Sequence, residues 1–260
     1  IERRNELSNL NENNFPLLKN KILEFKKKIL LGGVGLFIID GVCLKNFSSK
    51  EKISIYTLIA KILGELIIQN IKQDKIVEIK DVGKSMKTGG RYHETKEGGS
   101  HHTDSPQWKD VPDYLGLFCV HNAKNGGTNL FLSAYTIHNK IFKDQKKFLN
   151  IFYEKFHFDK RGEFKEGESP TVFEPIFKLK DGRLYFRYLR DYIDGGHNIQ
   201  NQPLSESQKE ALTYLDNSML EEDMMMHYNL KPDDMVFSDN HWVVHGRTTF
   251  EDYDEPDLKR

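Results

Sequence analysis

Apolar residues recur with a helical period near the start of the chain, then give way to short apolar runs bounded by turn residues. Between Leu17 and Leu31 the apolar positions 18, 22, 23, 25, 29 and 30 alternate with lysines, which predicts an amphipathic helix. Leu36-Phe37-Ile38-Ile39 follows Gly35 and is short enough to predict a buried strand. Ser49 opens a second helix carrying Ile53, Ile55, Leu58, Ile59 and Ile62 to a stop near Gly64. Val77 to Val82 reads as a further strand.

The second half reads mostly as strand. Tyr114 to Val120 is apolar and lies between Pro112 and the Gly126-Gly127 turn. Val172 to Lys180, Asp181-Gly182 and Arg183 to Leu189 form the strongest hairpin signal, because Asp-Gly suits a two-residue turn with positive φ. Ser205-Glu206-Ser207-Gln208 is a capping box opening a helix with Leu212 and Leu215 inward. Short strands follow at Met224 to Tyr228, Met235 to Phe237 and Trp242 to Val244. Many short strands behind two N-terminal helices predict a mainly β domain with supporting helices, a jelly roll or barrel. Residues 1–16 read as a polar arm, 17–75 as helical support and 76–260 as the jelly-roll core. The charged stretch 157–170, with Gly162 and Gly167, is either a lid over a site or an ordinary surface loop.

Composition narrows the function classes. The 260 residues suit one domain with a sizeable core. Lysine plus arginine number 38 against 39 acidic residues, so the basic excess of a nucleic-acid binder is missing. Cys43 and Cys119 are too few for a disulfide framework or a Cys-rich zinc site, and read as buried thiols in a reducing compartment. Lys26-Lys27-Lys28 before an apolar stretch to Leu44 imitates an export signal. Glycines and Asp40 interrupt it, and it is short of the ~20 apolar residues that span a bilayer. The expectation is a cytoplasmic protein with neither nucleic acid nor membrane as partner.

Ten histidines are many, and their placement carries the chemistry. His102-Thr103-Asp104 sets an imidazole and a carboxylate at i and i+2, on one face of an extended chain. His245 follows the apolar run Trp242-Val243-Val244. Two histidines and one carboxylate leave half of an octahedral shell open, the facial triad of non-haem Fe(II) oxygenases. Taken alone, a His-x-Asp triplet is equally a chance occurrence or a hydrogen-bonded pair on a strand. His121, His138, His157, His197 and His227 have no ligand spacing and read as structural or exposed. Trp108 and Trp242 read as packing residues.

The surroundings add specificity. Gly98-Gly99-Ser100-His101-His102-Thr103-Asp104 resembles the metal-binding segment of the TauD/TfdA family of Fe(II)/2-oxoglutarate dioxygenases. Gly126-Gly127-Thr128-Asn129 is similar to that family's Gly-Gly turn. Tyr185 to Ile193 followed by Gly195-Gly196-His197 resembles a strand–helix segment of its clavaminate-synthase-like branch. Lys231 to Asp252, containing His245-Gly246-Arg247, resembles its distal motif. The resemblance runs in order over approximately residues 35 to 260.

What the resemblance implies is a double-stranded β-helix that couples oxidation of 2-oxoglutarate by O2, giving succinate and CO2, to hydroxylation of a substrate C–H. His102, Asp104 and His245 would hold Fe(II). Arg260, some 15 residues past the distal histidine, matches the arginine that grips the far carboxylate of 2-oxoglutarate by a bidentate fork. Thr128 or Asn129 would assist, Asn129 standing where the family usually has Ser or Thr. Family members continue beyond that arginine with an apolar strand, so Arg247 is the second candidate for the carboxylate; its alternative role is an ion pair with Glu251 or Asp252. Related halogenases lack the carboxylate ligand, so Asp104 implies hydroxylation or desaturation.

Substrates in the resembled branch are often amino acids or small zwitterions, free or attached to a carrier. Arg187 would then clamp a substrate carboxylate, or else form a surface salt bridge. Tyr92, His93 and Glu94 precede the metal segment and either line the pocket or face solvent. Two other classes compete: a zinc hydrolase on the same three ligands, and a jelly-roll module that binds without turnover.

Overall fold

The computed structural model describes residues 11–70, 72–85, 92–98, 101–255 and 259. Helix α1, Pro16–Phe25, begins with a proline at its first turn, where a missing N–H costs nothing. It continues through a π-helical stretch, Lys26–Leu31. Strand β1, Leu36–Ile39, follows, then α2, Ser49–Leu63. Ser48 caps α2 through a reciprocal box with Glu51.

Three antiparallel strands make the first sheet: β1, β10 (Met235–Asp239) in the centre, and β2 (Tyr114–Phe118). Its alternating residues divide between two cores. Phe37, Met235 and Phe237 pack against Ile22, Leu30, Tyr56, Ile59 and Ile62 of the N-terminal helices. Val236 joins the larger core, with Leu36, Ile38 and Leu117 packed against it. Both faces are therefore covered, and β10 is buried throughout. The second sheet runs β11 (Val243–Arg247), β4 (Asn129–Ser133) and β9 (Met226–Tyr228). A tight turn at residues 240–242 carries the chain from β10 in one sheet to β11 in the other.

The mainly β jelly roll expected from the sequence does not form. Helices hold 34% of the structure against 21% in strands, and among the described residues no sheet closes. The reason lies chiefly in residues 134–152, which give no strand signal and fold as α3, Ala134–Asp144, and α4, Lys146–Phe152. Ala134, Ile137 and Ile141 lie one turn apart and are fully buried. Ser133 caps α3 by accepting from Thr136 N. Helices α5, Arg190–Ile199, and α6, Glu206–Ser218, add further cover. The capping box of Ser205 and Gln208 is present as expected.

Two strand expectations are also corrected. Val77 to Val82 forms no strand; among the described residues it makes two backbone bonds to a neighbouring turn, Lys80 N to His93 O and Val82 N to Glu94 O. The run from Val172 to Lys180 splits in two. Thr171–Pro175 (β6) pairs with Lys155–Asp159 (β5), while Phe177–Lys180 (β7) pairs with Arg183–Phe186 (β8). Pro175 cannot donate to a ladder, and the Ile176 carbonyl accepts instead from Arg187 N at 2.9 Å. The Asp181-Gly182 turn has the positive φ values, 52° and 74°, that the hairpin signal requires. The cysteines form no disulfide, but Cys43 is exposed and Cys119 half-buried, not buried as expected. No described helix is long and apolar enough to cross a membrane.

Helix α5 lies so close on β5 that a Cβ at Gly196 would press into the His157 carbonyl, 2.5 Å from its carbon and 2.9 Å from Asp159 N. Backbone cannot move aside as a flexible side chain can. Gly196→Ala is expected to lower the urea midpoint by an amount equivalent to about 2–3 kcal/mol; an unchanged midpoint would show that the contact has slack.

Candidate metal centre and its surroundings

The centre is built where two distant parts of the chain exchange backbone hydrogen bonds. His245 occupies the middle of β11. His102 belongs to no strand, yet His102 N donates to His245 O and His245 N to His102 O, both at 2.9 Å. This isolated bridge sets the two imidazoles side by side, with ring centroids 4.3 Å apart. Asp104, two residues on, turns its carboxylate to the same side, with Oδ1 3.6 Å from Nε2 of each histidine. The three ligand atoms lie within 4.8 Å of one another, the one such group among the described residues.

The short segment from His102 to Asp104 is held on both flanks. Thr103, between the two ligands, donates its N–H to Tyr188 O at 3.0 Å and accepts Tyr188 N on its hydroxyl at 3.1 Å. Tyr188 is in turn fixed by its phenol, which donates to Asp216, and Asp216 accepts from Arg190 Nη1 at 2.7 Å. On the other flank Asn240 Oδ1 accepts from Asp104 N at 2.7 Å. Asn240 Nδ2 donates to the carbonyls of Asp104 and Pro112, at 3.0 and 3.1 Å. Ser105 then takes a left-handed φ of 53°, rare for a residue with a Cβ. Upstream, Gly98 lets the chain press against the backbone of Thr248 and Thr249, where any Cβ would collide.

The electrostatics fit a cation. Burial holds the His245 imidazole well below its ordinary pKa, with further lowering by the neighbouring His102 and His101. His101 falls to about 4, again chiefly by burial. Such rings are neutral at physiological pH and offer lone pairs. Asp104 moves the opposite way: burial raises its carboxyl pKa, and the charges of His102 and His93 offset this in part. Its side chain is 40% accessible, so the carboxylate is open to an incoming ion. A metal with bonds of ~2.1 Å at right angles would need donor atoms roughly 3 Å apart. Separations of 3.6 Å reach that by small side-chain rotations. Two imidazoles and one carboxylate are also the right donor set for Fe(II), with half of an octahedron left open.

The other sequence candidates fall into three groups. Asn129 and Arg247 sit opposite each other in the ladder between β4 and β11, two residues from the pair Phe131 and His245, so both share the face of His245. Both are buried. Arg247 donates to the carbonyls of Thr95 and Glu97, and its guanidinium lies over the Phe250 ring. Thr128 donates to Asn229 Oδ1 at 2.7 Å. Thr128 and Asn129 line a cavity of about 200 Å³ with Cys119, His121 and Asn122. Arg187 donates to the carbonyls of Pro106, Trp108 and Lys109, bracing the turn that follows Asp104, and burial lowers its pKa. Tyr92, His93 and Glu94 form one 3-10 turn. There His93 is half-buried and Glu94 pairs with Lys84 at 2.7 Å. Arg260 and the side chain of Tyr92 lie outside the described residues.

Sequence reasoning missed Asn240, Tyr188 and Asp216. Asn240 sits in a run of turn residues, and nothing in its spacing reveals a partner near residue 104. A turn asparagine that is 1% exposed is the feature that identifies it, and burial of that kind is visible only in the fold.

The site is thus a two-histidine, one-carboxylate centre of the kind that holds a divalent metal. The chain belongs to the family described as taurine catabolism dioxygenase TauD, TfdA family, whose sequence pattern matches residues 16–260. It is 30% identical over 225 residues to FR-33289 synthase of Streptomyces rubellomurinus, covering 86% of this chain. It spans 65% of that synthase's length. Among solved structures, asparagine oxygenase bound to Fe(II), 2S,3S-3-hydroxyasparagine and succinate superposes with a TM-score of 0.68 at 14% identity, covering 94% of this chain and 77% of its own. The non-heme iron oxygenase OrfP with Fe, succinate and (3S)-hydroxy-L-Arg gives 0.66 at 14% identity, covering 94% and 78%. At such identities these likenesses show a shared fold.

Two outcomes follow from the centre. Asn240→Ala removes two bonds to the Asp104 backbone and one to Pro112, and is expected to weaken Fe(II) or Mn(II) binding by roughly 10–100-fold. Isothermal titration against the wild type measures this, and equal affinities would show that Asp104 is held by other means. In the metal-free protein the folded pKa of Asp104 lies above its unfolded value. Its stabilising contribution is therefore present at low pH and lost as pH rises through the folded pKa. Asp104→Asn is expected to melt higher than the metal-free wild type at neutral pH, with the difference vanishing in acid. A lower melting temperature at neutral pH would contradict the assignment.

Proposed function

We propose that the protein is an Fe(II)/2-oxoglutarate-dependent oxygenase of the clavaminate-synthase-like branch, hydroxylating an unactivated C–H of a small, amino-acid-like metabolite. The observation that carries this reading is the convergence of His102, Asp104 and His245, whose ligand atoms lie within 4.8 Å of one another. Family membership and a fold shared with oxygenases whose structures contain Fe, succinate and hydroxylated amino acids support it. When bound together, Fe(II) and 2-oxoglutarate supply the oxidising chemistry: O2, 2-oxoglutarate and R–H give R–OH, succinate and CO2.

The chain's own residues hold and orient. His102, Asp104 and His245 would hold the metal. Two residues along β11 from His245, about 6.5 Å by strand geometry, Arg247 shares the ligand's face with Asn129. Arg260 remains the first candidate for the far carboxylate, with Arg247, Thr128 and Asn129 as its partners. His93 and Glu94, with Tyr92, are placed upstream as pocket residues, and the nearness of His93 to Asp104 supports this. Arg187 serves the substrate side, through the turn it braces or by reaching the substrate itself. The protein's contribution to rate is positioning, which excludes other C–H bonds and water from the reacting centre.

Anaerobic titration of the metal-free protein with Fe(II) and 2-oxoglutarate tests the reading. A visible metal-to-ligand charge-transfer band requiring both components is expected, and no band in folded, iron-loaded protein would overturn it. His102→Ala, Asp104→Ala and His245→Ala should each abolish the band and succinate release. Arg260→Ala should chiefly raise the 2-oxoglutarate concentration needed; an unchanged requirement would move that role to Arg247.

A further inference from the structure

Of the asparagines in the chain, only Asn125 precedes a glycine. The two residues form the short strand β3, Asn125–Gly126, and both are exposed. They lie antiparallel to β12, Phe250–Glu251, with Gly126 opposite Phe250 and Asn125 opposite Glu251. Across this ladder Asn125 Nδ2 donates to Glu251 Oε2 at 3.1 Å. On either side Lys124 N donates to Glu251 O at 2.8 Å and Gly127 N to Thr249 O at 3.3 Å. A hydrogen-bonded pair in an antiparallel ladder exchanges both N–H groups, but Phe250 N donates elsewhere, to Lys96 O at 3.3 Å. Gly126 and Phe250 are therefore a non-hydrogen-bonded pair, and the Gly126 N–H is not committed to the ladder. Gly126 has a positive φ of 69°, and a Cβ there would collide with the Thr249 carbonyl oxygen, so the position admits only glycine.

We propose that Asn125 is a site of spontaneous covalent modification, a deamidation that turns an attractive cross-strand contact into a repulsive one. The Gly126 backbone nitrogen attacks Asn125 Cγ. The N–Cγ bond forms, the Cγ–Nδ2 bond breaks, and the proton lost by the Gly126 nitrogen leaves with Nδ2 as ammonia. Water then opens the cyclic imide, at one carbonyl to give aspartate and at the other to give its β-linked isomer. The sum is amide plus water giving carboxylate and ammonium, so the step needs neither iron nor co-substrate and stands apart from the oxygenase reading. Glycine favours it, because no side chain shields the attacking nitrogen and the backbone turns freely. Either product disturbs the ladder. Aspartate sets a second carboxylate directly opposite Glu251, where like charges destabilise the pair. The β-linked isomer adds a backbone carbon to a strand only two residues long. The disturbance lies close to the candidate co-substrate residues: the Arg247 guanidinium rests over the Phe250 ring at 5.0 Å, and Phe250 N ties β12 to Lys96, upstream of Gly98.

The test incubates the folded full chain at mildly alkaline pH, which helps deprotonate the attacking nitrogen, and follows its peptides by mass spectrometry. The peptide carrying Asn125 is expected to show the mass change of amide to acid before any other asparagine peptide does, with aspartate and isoaspartate both present. Asn125→Gln should leave that peptide unmodified. A free peptide of residues 120–130 runs alongside as the reference. An Asn125 that stays intact in the folded chain while the free peptide reacts fully would overturn the proposal, and so would earlier reaction at another asparagine. Asn125→Asp tests the structural consequence. At neutral pH it is expected to melt about 2–4 °C below the wild type, and adding Glu251→Gln to it should recover most of the loss. Equal melting of Asn125→Asp and wild type, or a loss that Glu251→Gln does not relieve, would overturn the repulsive contact assigned to Glu251.

Discussion

Everything at the metal centre depends on two backbone hydrogen bonds, His102 N to His245 O and His245 N to His102 O. They join a segment with no strand of its own to the middle of a buried strand, and they fix the relative depth of both imidazoles. A slip of one residue in this bridge would turn His102 to the opposite side and remove a ligand, because side chains alternate along extended chain. The surrounding contacts guard that register. Thr103 is locked to Tyr188, Asp104 to Asn240, and Gly98 permits the backbone approach that brings the segment in.

The site asks opposite things of its residues. Burial lowers the basicity of His245, which suits ligation, but makes the Asp104 carboxylate costly until a cation arrives. The left-handed Ser105 adds backbone strain at the same place. Rigid elements absorb both. The first sheet is packed on its two faces by separate cores, and the Asn240 turn at the end of β10 transmits that rigidity to Asp104. A loose support would let the carboxylate swing towards solvent, and the donor set would be lost.

How much of this the sequence discloses differs from part to part. His102, Asp104 and His245 stand out because ligand chemistry restricts residue type and because His-x-Asp places both groups on one face. Both capping boxes and the Asp181-Gly182 turn are legible for the same reason: each is a local rule with a local cause. The fold class is not. Ala134, Ile137 and Ile141 do carry helical spacing, but one short periodic run does not weigh the helices of the whole domain against its strands, and tertiary packing decides. Asn240 and Asp216 are illegible, since their importance lies in partners brought close only by the fold.

The ligands' positions along the chain have a consequence for how the protein is made. A ribosome releases His102 and Asp104 long before His245, and His245 joins them only when β11 docks against β4. Until then the nascent chain has two donors on a segment with no strand to hold it. Iron acquisition is thereby deferred until synthesis has passed the last ligand, and a truncated translation product ending before β11 has no assembled centre with which to activate oxygen.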